Sequence, residues 1–342
     1  MENMKPKERV MAVFEGKETD RAAVINPTSI ITLDSMACIG VKFPDVHLDG
    51  EKMAAAAATG HDLCGFDSVM PKFSVVQSAA ALGAEVDWGS GDAMPIIRRH
   101  PITDPEQFRM PEDFLDRQPV KAVLDALKIL KKKYGDEVAI IGKVFGPWTT
   151  AYNMCGTEQF LMETALDPER AVEFLEVFKP VAIKFAEAQY EAGADIIMWA
   201  DHVSGDLCGP YAYRDLLLPI HQKINKDLFH KSGPTILHAC GKTTDRMKYF
   251  AESGFDAFHF DTRNDVHEAL KEVDGKILLT GGVNNPKVLL KGTPEDVKTQ
   301  VWEHLDAGIR LISPECAIPA RTPNRNLIAI VDAVKEYAKK KE

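Results

Sequence analysis

Short runs rich in apolar and β-branched residues recur along the chain at 22–26, 66–70, 138–143, 195–200, 235–239, 257–260, 276–280 and 310–313. Each is too short for a buried helix and long enough for a buried strand. Longer stretches between them carry apolar residues at helical spacing, as at 168–192, 216–231, 244–253 and 294–307. The last opens with Thr293, Pro294, Glu295 and Asp296, a capping hydroxyl followed by acidic first-turn residues. Three of these helical stretches meet a glycine, Gly193, Gly254 or Gly308, just before the next apolar run. Eight strands alternating with crossover helices predict an α/β chain folded as a (β/α)8 TIM barrel. The segment 72–102 breaks the alternation: it carries Gly83, Gly89 and Gly91 and alternating runs at 84–88 and 96–99, which predicts a hairpin inserted after the second strand. No linker or repeat divides the chain, so residues 1–342 are expected to form one barrel domain.

Composition narrows the class of function. Against 41 basic residues stand 51 acidic ones, a net charge of −10 that argues against nucleic acid as a partner. No apolar stretch reaches the ~18 residues of a membrane span, and residues 1–9 lead into a short amphipathic helix without a signal-peptide core. A cytoplasmic protein is expected. The six cysteines, at 38, 64, 155, 208, 240 and 316, lack disulfide-scaffold spacing, so thiols or metal ligands are expected, with Cys38, Cys64, Cys155 and Cys208 read as packing residues.

Two cysteines stand apart. His238 and Cys240 end the fifth apolar run, and side chains two apart on a strand point the same way, so the pair can grip one ion. Cys316 follows the eighth run and supplies a third ligand from another strand end. Three protein ligands leave a fourth position open, as catalytic zinc does, and two thiolates favour an ion that binds or activates a thiol. Active sites of barrels gather at the C-terminal strand ends, where all three residues fall. Asp201 directly follows the fourth run and is expected to face the barrel mouth, within reach of substrate or metal. His202 and His259 share strand ends, and Gly281, Gly282 and Asn284 follow the seventh run, where glycines could admit a ligand to the backbone or simply make a turn. Asp265 and Asn285 are taken as solvated loop residues.

The sequence His238-Ala-Cys240-Gly241-Lys-Thr-Thr resembles, together with Gly281-Gly-Val-Asn284, the block Leu290-Lys-Gly-Thr-Pro-Glu-Asp-Val297, Leu305-Asp-Ala-Gly308, Cys316-Ala-Ile-Pro319 and Thr322-Pro-Asn-Arg-Asn-Leu327, the uroporphyrinogen decarboxylase superfamily. Within it the pattern is similar to the zinc methyltransferase branch, the methylcobamide:coenzyme M methyltransferases of methanogens, with coverage from Lys5 through Leu327. The decarboxylase itself fits poorly: where that enzyme carries an arginine-rich segment after the first strand, this chain has no arginine between Asn26 and Met36.

The resemblance implies one zinc ion per chain and methyl transfer from a corrinoid to coenzyme M in methanogenesis. The corrinoid would arrive on a separate methylated protein, through a mouth wide enough to receive it, and the chain would serve a methanol- or methylamine-linked pathway. For the sulfonate of coenzyme M the candidates are Lys143, Arg321 and backbone amides near Gly282, with Tyr152 beside the mouth. The alternatives are another thiol acceptor such as homocysteine, a uroporphyrinogen-type decarboxylase, or a non-catalytic corrinoid- or zinc-binding protein.

Overall fold

Parallel pairing takes up the backbone hydrogen bonds of all eight apolar runs, as buried apolar strands require. The structure is a computed structural model that describes residues 3–71, 73–227 and 233–341. The strands are β1 (Ala23–Val24), β2 (Ser68–Val69), β5 (Ala139–Phe145), β6 (Ile196–Ala200), β7 (Thr235–His238), β8 (Ala257–Phe260), β9 (Leu278–Val283) and β10 (Leu311–Pro314), with β3 (Glu85–Asp87) and β4 (Ile96–Arg99) outside the main sheet. Their order is β1-β10-β9-β8-β7-β6-β5-β2, every neighbour parallel. This is the expected (β/α)8 barrel, nearly closed. β3 and β4 pair antiparallel as a ribbon between the second and third barrel strands, where the alternating pattern placed a hairpin.

Helices cover the outside of the sheet. The helix Pro168–Glu191 buries Phe174, Leu175, Phe178, Val181 and Phe185, each such side chain adding about 1.5–3 kcal/mol on leaving water. The helix Pro294–Asp306 carries the predicted cap: Thr293 Oγ1 accepts from Asp296 N at 3.3 Å and Asp296 Oδ2 accepts from Thr293 N at 2.7 Å. The stretch 216–231 becomes a wide turn over Tyr213–Leu217 and a helix over Leu218–Asp227; its last four positions lie outside the described residues. In place of a helix over 244–253 there are a tight turn at Thr244–Arg246 and a short helix, Met247–Ala251. The seventh strand runs on to Val283 instead of stopping at residue 280, because Gly281 and Gly282 keep pairing with Ile312 and Ser313. Cys64, Cys155 and Cys208 are buried, and burial pushes each thiol up to about 12. Cys38, expected to pack, is exposed. Among the described residues no helix is long and apolar enough to cross a membrane.

β1 and β2 end the row, and side chains close the gap between them. Asp67 N donates to Val24 O at 2.7 Å, Val24 N donates to Asp67 Oδ2 at 2.8 Å, and Asn26 N donates to Ser68 Oγ at 2.9 Å. The Asp67 carboxylate also accepts from Arg9 Nη1 at 2.8 Å and from Arg21 Nη1 and Nη2 at 2.8 and 2.9 Å, all at the N-terminal strand ends. Arg9 reaches on to Asp20 through Nε at 2.6 Å and Nη2 at 2.9 Å. Burial pushes the Asp20 carboxyl up, but Arg9 and the amides of Met4 and Asn3 overcome it and hold the group well below the usual carboxylate range.

Removing one member of a buried ion cluster leaves the others uncompensated, at about 3–5 kcal/mol. Asp67→Ala should therefore lower the unfolding free energy in urea by roughly that amount, and a loss below about 1 kcal/mol would show that the seam does not depend on this carboxylate. Because the folded value of Asp20 is depressed, its stabilisation is present above the unfolded carboxyl value of about 3.9 and is lost as pH falls further. Asp20→Asn should flatten the decline of stability below pH ~4; an unchanged acid limb would contradict the assignment.

Candidate metal centre

Strand register builds the wall of one cavity at the C-terminal end of the barrel. Lys143 pairs with Met198, and Phe145 pairs with Ala200, which pairs with His238. Side chains on one face recur every second residue, so three neighbouring strands each present an i, i+2 pair inward: Lys143 and Phe145, Met198 and Ala200, His238 and Cys240. All six line a cavity of about 550 Å³ including its open mouth, with Cys316 and Ala317 from the far wall. Phe73 and the exposed Met94 of the ribbon also line it.

The predicted ligands converge. His238 Nε2 lies 3.0 Å from Cys240 Sγ and 3.5 Å from Cys316 Sγ, and the two sulfurs are 3.1 Å apart. Among the described residues this is the one His, Cys, Asp and Glu group close enough to hold an ion. His238 Nδ1 donates to the His259 carbonyl at 3.1 Å; since a carbonyl can only accept, the proton sits on Nδ1 and Nε2 turns a lone pair toward the sulfurs. The hydrogen bond from Cys240 holds the Cys316 thiol well below its ordinary range despite burial, and the same contact, with burial, pushes Cys240 up. Two sulfurs and one imidazole suit zinc. Ligand atoms on a tetrahedral zinc, at bond lengths of about 2.3 Å to sulfur and 2.0–2.1 Å to nitrogen, lie about 3.6–3.8 Å apart. To reach that spacing the Cys240 sulfur would move about 0.6–0.7 Å away from the other two atoms, while the His238–Cys316 separation already fits.

The turns behind the ligands are tied down. Gly241, at φ +85°, continues the chain where a Cβ would come within 2.8 Å of Arg263, and its N–H donates to Asp261 Oδ2 at 2.8 Å. Beside Cys316, the buried Glu315 accepts from Thr262 N at 3.0 Å and Asn285 N at 2.8 Å, while burial pushes its carboxyl up. Asn285, taken from sequence as solvated, is buried and donates to the carbonyls of Cys316 and Ala317, each at 3.0 Å. Asp265 caps the helix Val266–Val273.

Other predicted residues fall elsewhere. Asp201 shares the outward face with Trp199, so it meets the helix layer and not the mouth: it is fully buried, with Oδ1 accepting from Thr149 N at 2.8 Å and Oδ2 from His221 Nε2 at 3.0 Å. Gly282, at φ +104°, packs against helix Pro294–Asp306, where a Cβ would sit 2.6 Å from the His304 ring. Asn284 caps the turn after β9 by accepting from Lys287 N at 2.8 Å, and donates to Thr262 Oγ1 at 2.8 Å. Neither lines the cavity. Arg321 pairs with Asp92 at 2.7 Å on the surface. Lys143 does reach the cavity, its Nζ 2.9 Å from the Phe73 carbonyl and 4.3 and 5.1 Å from the Phe73 and Phe145 ring centres. His202 lines the cavity too, with Tyr152 bonded to its Nδ1, and burial, aided by His238, pushes its imidazole down to about 4. Strand parity would have marked Met198, Ala200 and His202 as inward once His238 and Lys143 were placed; Thr28, Ser29, Phe73 and Ser74 come from loops that carry no such signal.

Residues 5–337 match the uroporphyrinogen decarboxylase (URO-D) family, and the chain belongs to it. Within the family it falls with methyltransferases. It is 31% identical to the methylcobamide:CoM methyltransferase MtbA of Methanosarcina acetivorans over 97% of this chain and 98% of that one. It is 30% identical to the methylated-thiol–coenzyme M methyltransferase of Methanosarcina mazei over 97% of this chain and 90% of that one. A solved methyltransferase from Methanosarcina mazei superimposes with a TM-score of 0.93 at 29% identity, covering 98% of this chain and 99% of that one.

If Gly282 serves packing, Gly282→Ala should cost about 2–4 kcal/mol, from the left-handed backbone and the crowded His304 ring together. Thermal unfolding measures this, and a stable variant defective only in ligand binding would instead return Gly282 to the ligand site.

Proposed function

We propose that this chain transfers a methyl group from a methylcobamide, carried on a separate corrinoid protein, to the thiol of coenzyme M, using one zinc ion held by His238, Cys240 and Cys316. The observation that carries the reading is the convergence of one imidazole nitrogen and two sulfurs, 3.0–3.5 Å apart, on a cavity whose other walls are largely apolar. A zinc ion bound there supplies a Lewis acid that favours the thiolate of an incoming thiol, which at a pKa of about 8.5 is otherwise mostly protonated.

The chain's own residues do the rest. Cys240 and Cys316 bring negative charge beside the acceptor sulfur, which keeps it electron-rich, and His259 fixes the ring of His238. Phe73, Phe145 and Met198 keep water from the nucleophile. Lys143 places a cation in the same cavity and is the residue to neutralise the sulfonate of coenzyme M. In the transfer, a sulfur–carbon bond forms as the cobalt–carbon bond breaks, and the bonding electron pair leaves with cobalt. The thiol gives up its proton to bulk water before the transfer. Away from open solvent the cavity offers only about 140 Å³, room for a small thiol and far too little for a corrinoid, so a corrinoid would present its methyl group at the rim and not enter the wide mouth expected from sequence.

The decarboxylase reading finds less support. A substrate bearing many carboxylates calls for arginines, whereas among the described residues the cavity lining includes the cation Lys143 and no arginine, and the region after β1 contributes Thr28 and Ser29. Two relatives whose names specify coenzyme M point the other way.

His238→Ala and Cys316→Ala should each lose bound zinc and lower methyl transfer to coenzyme M by about 100-fold or more, with circular dichroism unchanged because the seam lies at the opposite barrel end. Methylcobalamin and isolated methylated corrinoid proteins serve as donors. Either variant retaining full zinc and full transfer would refute the proposal.

A further inference from the structure

A lysine ammonium neutralises an anion but fixes no orientation, and the proposed acceptor must hold its sulfur at the ligand triad while its sulfonate is seated two carbons away. A second, directional donor is needed. The cavity offers one just past the end of β6: His202 follows Met198 and Ala200 at the same two-residue spacing and lines the same cavity as Lys143. Phe145 stands between the two, its ring centre 5.1 Å from Lys143 Nζ and 6.4 Å from the His202 ring.

The imidazole is held on several sides. Tyr152 stacks on it at 5.8 Å between ring centres and 25° between planes, and the Tyr152 hydroxyl bonds His202 Nδ1. His202 N donates to Thr149 Oγ1 at 2.9 Å, and Thr149 N donates to Asp201, which His221 holds in turn. Burial, aided by Asp201, pushes the Tyr152 phenol up, so it keeps its proton. A phenol that donates to Nδ1 leaves the proton of a neutral imidazole on Nε2. The opposite wall holds Thr28, buried to 4% exposure, whose hydroxyl has no hydrogen-bond partner among the described residues. An oxygen-bearing ligand in the cavity would satisfy this buried hydroxyl.

We infer that His202, oriented by Tyr152, is the second arm of the seat for the acceptor's anionic end: its Nε2–H donates to the sulfonate that Lys143 neutralises. His202 is then a substrate-binding residue and Tyr152 a positioning residue. The inference rests on the coenzyme M reading and sharpens it into a basis for selecting sulfonated thiols over neutral ones.

The test compares 2-mercaptoethanesulfonate with 2-mercaptoethanol as methyl acceptors for the zinc-loaded protein. His202→Ala should shrink the ratio of their KM values about 10-fold or more, the loss expected for a hydrogen bond to a charged group. Tyr152→Phe should shrink it about 3-fold, and His202→Gln, which keeps an N–H donor, should recover much of it. Calorimetry with ethanesulfonate, which has no thiol and does not need the metal, should show about 10-fold weaker binding to His202→Ala. Folded His202→Ala and Tyr152→Phe proteins that keep the wild-type ratio and ethanesulfonate affinity would overturn the inference and leave the coenzyme M reading standing. Wild-type protein that neither binds nor methylates 2-mercaptoethanesulfonate would overturn both.

Discussion

Parallel strands in register, with side chains alternating at a period of two, constrain everything at the mouth of this barrel. Because Phe145, Ala200 and His238 are register partners, fixing the direction of one inward residue fixes the neighbouring strands. A slip by one residue would turn Lys143, His202, His238 and Cys240 away from the cavity together and bring Trp199 and Asp201 in. The bulky outward residues oppose that slip: Trp199 is fully buried against His221 and Phe255, and Asp201 is satisfied by Thr149 and His221. The chemistry of the inner face is thus held by packing and hydrogen bonds on the outer one.

The two ends of the barrel divide the work. At the N-terminal end, where β1 and β2 are too short to pair, Asp67 substitutes side-chain and backbone hydrogen bonds for a ladder, with Arg9 and Arg21 balancing its charge. At the C-terminal end, ordered turns carry the ligands: Gly241 behind Cys240, and Glu315 with Asn285 behind Cys316. A buried carboxylate that accepts backbone amides on neighbouring loops holds those loops at a fixed spacing. Such support lets the sulfurs of Cys240 and Cys316, both on loops, stand 3.0 and 3.5 Å from His238 Nε2 at the end of β7.

Much of this was legible in the sequence. All eight strands were present as apolar runs, because strands buried on both faces need continuous apolar character, and the inward pairing of His238 with Cys240 was visible because an i, i+2 pair on a strand shares a face. Asp201 was misplaced by a single residue of parity: it directly follows the run that Ala200 ends, and adjacent residues along an extended chain face opposite ways. The extent of β9 was misread because glycines that look like a turn stay in the ladder where Phe260, beside Gly281, and His304, beside Gly282, leave no room for a Cβ. Asn285, Glu315 and the Asp67 cluster were not legible at all. Their partners lie far away in the chain, Asp67 and Arg9 being 58 residues apart, and no local pattern records a contact that only closure of the barrel creates.

The central claim is that His238, Cys240 and Cys316 hold zinc with a position open to the acceptor thiol. Zinc-edge X-ray absorption on the loaded protein, before and after 2-mercaptoethanesulfonate, tests it most directly. The account predicts two sulfurs in the resting site and three after the thiol is added, at about 2.3 Å. An unchanged sulfur count on addition of the thiol, with loss of the fold when the metal is removed, would make the ion a structural staple and contradict the account.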